Sequence, residues 1–202
     1  MRTEARPISR LVLVSLAVLL AMTVASPVVR GQAQHVRWDI ASISLPGVTL
    51  NPGGQASAKD NINDTITLTG TGTFVAPAGG GGTSSAVTGG GSWTITTASG
   101  SSSGTYQVTG LVRWEEAPGT FPGTFDNIGN ASDFRPGLAV LRIQYNDGSH
   151  GILAVSCQGA GTPGTVFEGI TASKDFVDFW NRVAPSGTPA TANANRTAFH
   201  LE

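Results

Sequence analysis

Few residues in this chain have the type and spacing that chemistry requires, and the most suggestive are carboxylates. Glu115 and Glu116 are adjacent. On a strand such neighbours point to opposite faces, so they do not form one acid–base pair. One of them facing inward, with Asp126 or Asp133 across the following connection, would make a carboxylate pair of the kind glycosidases use. Two oxygen-rich stretches, Asp60 to Asp64 and Asp126 to Asp133, carry the short ligands that hold Ca²⁺ in extracellular loops. Asp126, Asn130 and Asp133 are the candidate calcium ligands, although Asp and Asn are equally the residues of plain turns. No other cofactor is indicated.

The remaining reactive side chains stand apart. His35, His150 and His200 have no second histidine or cysteine at ligand spacing, which argues against structural zinc. Cys157 is the only cysteine, so no intramolecular disulfide forms, and its place at the end of an apolar run reads as a small buried hydrophobe. Gly159-Ala-Gly-Thr-Pro-Gly164 has the spacing of a dinucleotide loop, and Gly100-Ser-Ser-Ser-Gly104 that of a nucleophile elbow around Ser102. Both motifs work by opening a helix, and extended sequence follows each, so both read as loops.

The elements that position these residues are strands. Val36, Trp38 and Ile40 alternate with polar residues, as do Ile66 with Leu68 and Trp93 with Ile95, and Tyr106 with Val108 begin a run ending at Trp114. Asp147-Gly148 separates two apolar runs and predicts a hairpin over 138–157 with a two-residue turn. That register sets Tyr145 opposite His150, Ile143 opposite Ile152 and Leu141 opposite Ala154. Glycine-rich stretches at 76–92 and 99–104 read as loops of a single domain. The connection 117–137 is longer than most loops, but Phe121, Phe125, Ile128 and Phe134 anchor it, so it should be ordered and shape one end of the domain. Phe176, Phe179, Trp180 and Val183 are spaced as one helical face behind Ser173 and predict a short C-terminal helix ending before Pro185; Phe176, Asp178 and Trp180 would also satisfy a strand. Arg196 to Leu201 would add a last strand. The expected fold is all-β, a single antiparallel sandwich or small barrel of about eight strands with that one helix.

At the N-terminus Arg2, Arg6 and Arg10 precede an apolar run from Leu11 to Met22 and the small residues Thr23 to Ala25. This is the order of a cleavable signal peptide over 1–25, followed by an unstructured leader over 26–34 and one domain over 35–202. Cleavage would take three arginines and one glutamate from the 12 basic and 13 acidic side chains, leaving nine and twelve, a net charge of −3. The few cations are scattered singly, which excludes nucleic acid as a partner. No later apolar run approaches the ~20 residues of a membrane-spanning helix. The expected location is secreted or periplasmic.

The hairpin Gly137-Leu-Ala-Val-Leu-Arg-Ile-Gln-Tyr-Asn-Asp-Gly148, the run Val166-Phe-Glu-Gly-Ile-Thr-Ala-Ser-Lys-Asp-Phe-Val-Asp-Phe-Trp-Asn181 and Glu115-Glu-Ala-Pro-Gly-Thr-Phe-Pro122 resemble a family of uncharacterised secreted bacterial β-proteins. The resemblance covers most of the chain after the leader. It implies an exported bacterial protein and brings no activity with it.

A β scaffold with an anchored aromatic loop and no catalytic constellation reads as a non-catalytic binding module for a small molecule, glycan or protein, with Glu115, Glu116, Phe121, Phe125, Phe134, Tyr145 and His150 as candidate contacts. Two alternatives remain open. One is an isomerase- or cyclase-type enzyme that positions its substrate at a barrel mouth, where Glu115 or Glu116 with His150 would be the polar set; the other is a structural envelope protein.

Overall fold

The structure is a computed structural model and describes residues 33–44, 47–78, 82–186 and 194–202. The expected signal peptide and the first seven leader residues lie outside these. Gln34, the last residue of the expected leader, already begins the first strand. The chain forms β1 (Gln34–Ser44), β2 (Thr49–Asn51), β3 (Ala56–Lys59), β4 (Thr65–Leu68), β5 (Thr71–Ala76), β6 (Gly90–Thr97) and β7 (Gly100–Glu116). It continues through β8 (Phe125–Asp126), β9 (Gly137–Tyr145), β10 (His150–Cys157), β11 (Gly169–Lys174), β12 (Val177–Phe179), β13 (Asn181–Arg182) and β14 (Arg196–Leu201).

These make one 14-stranded sheet, in the order β12-β11-β10-β9-β7-β6-β5-β1-β2-β8, with β14 on β1 and the ribbon β13-β3-β4 joined to β6. All pairings are antiparallel except β2 with β8. The fold is all-β, as the alternation predicts, but fourteen strands, not about eight, join one mixed sheet instead of the two sheets of a sandwich, and among the described residues the pairing path is not closed into a barrel. Its last strand nonetheless reaches β10: Thr197 Oγ1 donates to the Ser156 carbonyl at 2.6 Å and Cys157 Sγ to the Thr197 carbonyl at 3.2 Å. Phe74, Trp114 and Phe199, from β5, β7 and β14, meet inside with ring centroids 4.7 to 6.4 Å apart. Large apolar side chains removed from water on this scale are the main source of stability.

Long strands survive local irregularity. β7 carries breaks in register between Val108 and Gly110 and between Leu111 and Arg113. Each inserts a residue and shifts which side chains face the core, so Tyr106 and Val108 before the first break and Trp114 after the second are all buried.

Three expectations are corrected. No helix occurs over 173–183: β11 ends at Lys174, Asp175 takes a positive φ of 49° in a tight turn, and β12 returns along β11. Of the supposed helical face only Phe179 is buried, while Phe176 is fully exposed at the turn. In the hairpin, the loop holds three residues with Gly148 at φ 89°, so Leu141 faces Leu153 and Gly151 faces Ile143. This register puts Leu153, Val155 and Cys157 in the core and leaves Ile152 beside Arg142, whereas the two-residue turn would have buried Ile152 in their place. Finally, Gly100 to Gly104 is not a loop but the start of β7, paired with β6. Gly104 is needed there because a Cβ would strike the Asn146 side chain.

The 117–137 connection is ordered against the sheet. Thr120 bridges Ala160, Thr124 N–H donates to the Val48 carbonyl at 2.7 Å, and Phe134 bridges His200.

Candidate functional site

The nominated residues do not converge on one point. Glu115 and Glu116 are exposed; Arg113 Nε lies 3.0 Å from Glu115, while Arg135 Nε at 3.5 Å and Gln34 Nε2 at 3.2 Å reach Glu116. They edge a shallow groove with Pro118, Leu138, Val166 and Phe167. His150 is exposed at the start of β10 opposite Gln144, far in the pairing from both glutamates. Tyr145 is buried: its hydroxyl donates to the Ser173 carbonyl at 2.8 Å, and its ring packs edge-on against Trp93 under the Lys174 ammonium. Burial raises its phenol above the ordinary range. Tyr145 is thus a core residue, and no acid–base set forms with His150.

The candidate calcium ligands hold one another and the backbone. Asp126 Oδ1 accepts from the amides of Ile128 and Gly129, its Oδ2 lies 2.8 Å from His200 Nε2, and Asn130 donates to Asp133 at 3.1 Å. Among the described residues no group of three or more His, Cys, Asp or Glu side chains is placed to hold a metal ion.

A pocket does form where β2, the 117–137 segment and the start of β14 meet. Its cavity of about 150 Å³ is walled by Ile43, Val48, Leu50, Phe121, Pro122 and Phe134. Phe121 packs edge-on against Phe134 at 5.4 Å, so two of the three nominated phenylalanines belong to this wall. Phe125 turns outward and is 62% exposed.

Gln158, Thr197 and two charged groups, Glu168 and Arg196, face this apolar wall, and the sequence reading singled out neither of the charged pair. Glu168 immediately precedes β11 and is buried. Its Oε2 accepts from the Gln158 amide at 2.6 Å and its Oε1 from the Thr197 amide at 2.7 Å, so it ties the end of β10 to β14. Burial pushes its carboxyl up to about 7, against the opposing pull of those donors and of the Arg196 charge. Arg196 opens β14 opposite Ala41. Its Nε is buried without a hydrogen-bond partner, and its guanidinium makes no ion pair among the described residues.

Behind Phe134 lies the His200–Asp126 pair. The Phe134 and His200 rings are 5.9 Å apart, and the imidazole Nδ1 is buried without a partner. Gly129 lies against the imidazole, where a Cβ would come within 2.7 Å of the ring. The pair therefore backs the aromatic wall and holds the segment that carries it. The available signal for all three missed residues was a charged or polar side chain inside an apolar stretch: Glu168 between Phe167 and Ile170, Arg196 and His200 in a strand buried on both faces.

The chain matches no protein-family model, no curated protein and no solved structure.

Proposed function

We propose that this protein is an exported, non-catalytic binding module that takes a small molecule with an apolar body and one polar end into the pocket between β2, the 117–137 segment and β14. The observation that carries this reading is the convergence of an apolar wall from three separate parts of the chain on two charged groups, Glu168 and Arg196, flanked by Gln158 and Thr197. Ligand sites have this composition: mostly apolar lining with a few polar groups that fix orientation. We read the sheet as an incomplete barrel whose mouth lies at this pocket. The carboxylates Glu115 and Glu116 and the histidine His150 are outside it.

The test is binding of phenol and 1-hexanol, followed by NMR shifts of the Phe121 and Phe134 rings. Val48, at the rim and 42% exposed, can be replaced by Trp at little cost to the fold. Binding in the wild type that Val48→Trp abolishes is expected; probes that bind Val48→Trp equally, or do not move these rings, sink the reading.

One observation favours a second reading. A buried carboxyl near pH 7 beside a pocket has the proton affinity of a general acid–base, which suits a positioning isomerase. That reading requires Glu168 to exchange a C–H proton of a bound carbonyl compound with solvent, seen as deuterium uptake in D₂O.

A further inference from the structure

We infer that the pocket selects a compact monocarboxylate, its apolar body against Leu50, Phe121 and Phe134 and its head on the guanidinium of Arg196. This rests on the reading of the pocket as the binding site and names the class of ligand it takes.

Arg196 supplies the first half of the argument. A buried guanidinium nitrogen is costly unless an acceptor meets it, and the buried Nε of Arg196 meets none among the described residues. The obvious internal candidate, Glu168, is already engaged. Its two oxygens accept from the Gln158 and Thr197 amides, with the Thr197 hydroxyl a further 3.4 Å contact, and it makes no ion pair with Arg196. The planar fork of an arginine matches a two-oxygen acid better than any other common group. An occupant that leaves this fork unpaired, such as an alcohol or an amide, would forgo the strongest interaction the pocket offers.

The second half comes from size and charge. A cavity of about 150 Å³ is of the size that holds a benzene ring, so the body is that of a benzoate or a hexanoate. Among the described residues Arg196 is the one cation that lines the pocket, and Glu168 stands near it. A phosphate dianion would bring a second negative charge against that carboxyl without a second cation to meet it. A monoanion balances Arg196 and stops there. Among the described residues the walls offer no further charged side chain for a second acidic group.

The experiment compares benzoate and hexanoate with the matched amides, benzamide and hexanamide, by calorimetric titration of the wild type, Arg196→Gln, Arg196→Lys and Val48→Trp. The expected result is carboxylate binding about tenfold or more tighter than amide binding in the wild type. Arg196→Gln should lose that preference while its amide affinity stays, and Arg196→Lys should keep part of it, because a point charge remains without the fork. Since the Arg196 side chain makes no hydrogen bond among the described residues and acts on Glu168 only through its charge, these variants should still fold, with at most a small shift in melting for Arg196→Gln, which a thermal scan of each checks before titration. Amides that bind as well as carboxylates, or an Arg196→Gln variant that keeps its preference for carboxylates, overturn the inference and leave the pocket intact. Ligands that bind without being blocked by Val48→Trp, or no binding of any of the four, overturn the pocket reading and this inference with it.

Discussion

The Nε2 of His200 lies 2.8 Å from Oδ2 of Asp126, with both side chains almost wholly buried. One residue belongs to the last strand and the other to the middle of the 117–137 connection, so this buried contact joins the backbone bonds at Thr120, Thr124 and Phe134 in fastening a long segment to the sheet. The same carboxylate accepts from the amides of Ile128 and Gly129 through its other oxygen. Arg37, held to Asp39 by two bonds of 2.7 and 3.0 Å, reaches the Ile128 carbonyl from the neighbouring strand at 3.5 Å.

Asp126→Ala removes a buried partner from an imidazole and two backbone donors at once. The expected loss is about 2–4 kcal/mol in urea unfolding, with faster amide exchange confined to residues near 124–130. Asp126→Asn, which keeps the shape and one acceptor oxygen, should lose about half as much. An Asp126→Ala protein that unfolds at the wild-type urea concentration would show that the contact fastens nothing.

Glu168 makes stability depend on pH in a direction unusual for a carboxyl. Its folded value of about 7 lies above its ordinary 4.5, so the folded state binds the proton more tightly than the unfolded chain does. Its contribution is fully present below pH 4.5 and is lost as pH rises through 7, a change of roughly 3 kcal/mol across that window. Glu168→Gln should remove this slope. It should also lower stability at pH 5, because the amide nitrogen cannot accept from the Gln158 or Thr197 amide, whereas both oxygens of the protonated carboxyl keep a lone pair that can. Urea unfolding of both proteins at pH 5 and pH 8 checks this; equal slopes for the two would assign the pH dependence to other groups.

The hairpin register makes opposite demands on two neighbouring apolar residues. Leu153 is fully buried and Ile152 is 37% exposed beside Arg142. Leu153→Ala should cost about 2–5 kcal/mol and Ile152→Thr under about 1 kcal/mol. The reverse order would establish the two-residue turn that Asp147-Gly148 suggests. Gly148→Ala, at a φ of 89°, should cost about 1 kcal/mol for the left-handed backbone alone.

The strands were legible wherever one face is buried and the other wetter, as in β6 and β9, since alternation records that difference directly. The turn was less legible because the same dipeptide serves a two-residue and a three-residue loop, and only the burial of Leu153, Val155 and Cys157 decides between them. Phe121 and Phe134 could be read as anchors because aromatic rings stand out in a polar connection. Glu168 and Arg196 could not be read as a site. Their pocket is assembled from residues as distant as Ile43 and Thr197, and a charge beside a strand ordinarily means a solvated face.

The helix that the spacing of Phe176, Phe179, Trp180 and Val183 predicts fails for a reason that can be tested side chain by side chain. A helix would bury all four on one face and make each costly to remove. The β11–β12 turn instead puts Phe176 in water, leaves Trp180 largely exposed and sends only Phe179 into the core beside Ala172. Phe179→Ala should therefore cost about 3–5 kcal/mol, while Phe176→Ser and Trp180→Ser should each stay within about 0.5 kcal/mol of the wild type. Comparable losses at all three positions in thermal unfolding would mean that the segment packs as the helical face after all. A loss at Phe179 alone identifies it as the one inward side chain of a strand, and the regular spacing of its neighbours as a coincidence of a short hairpin.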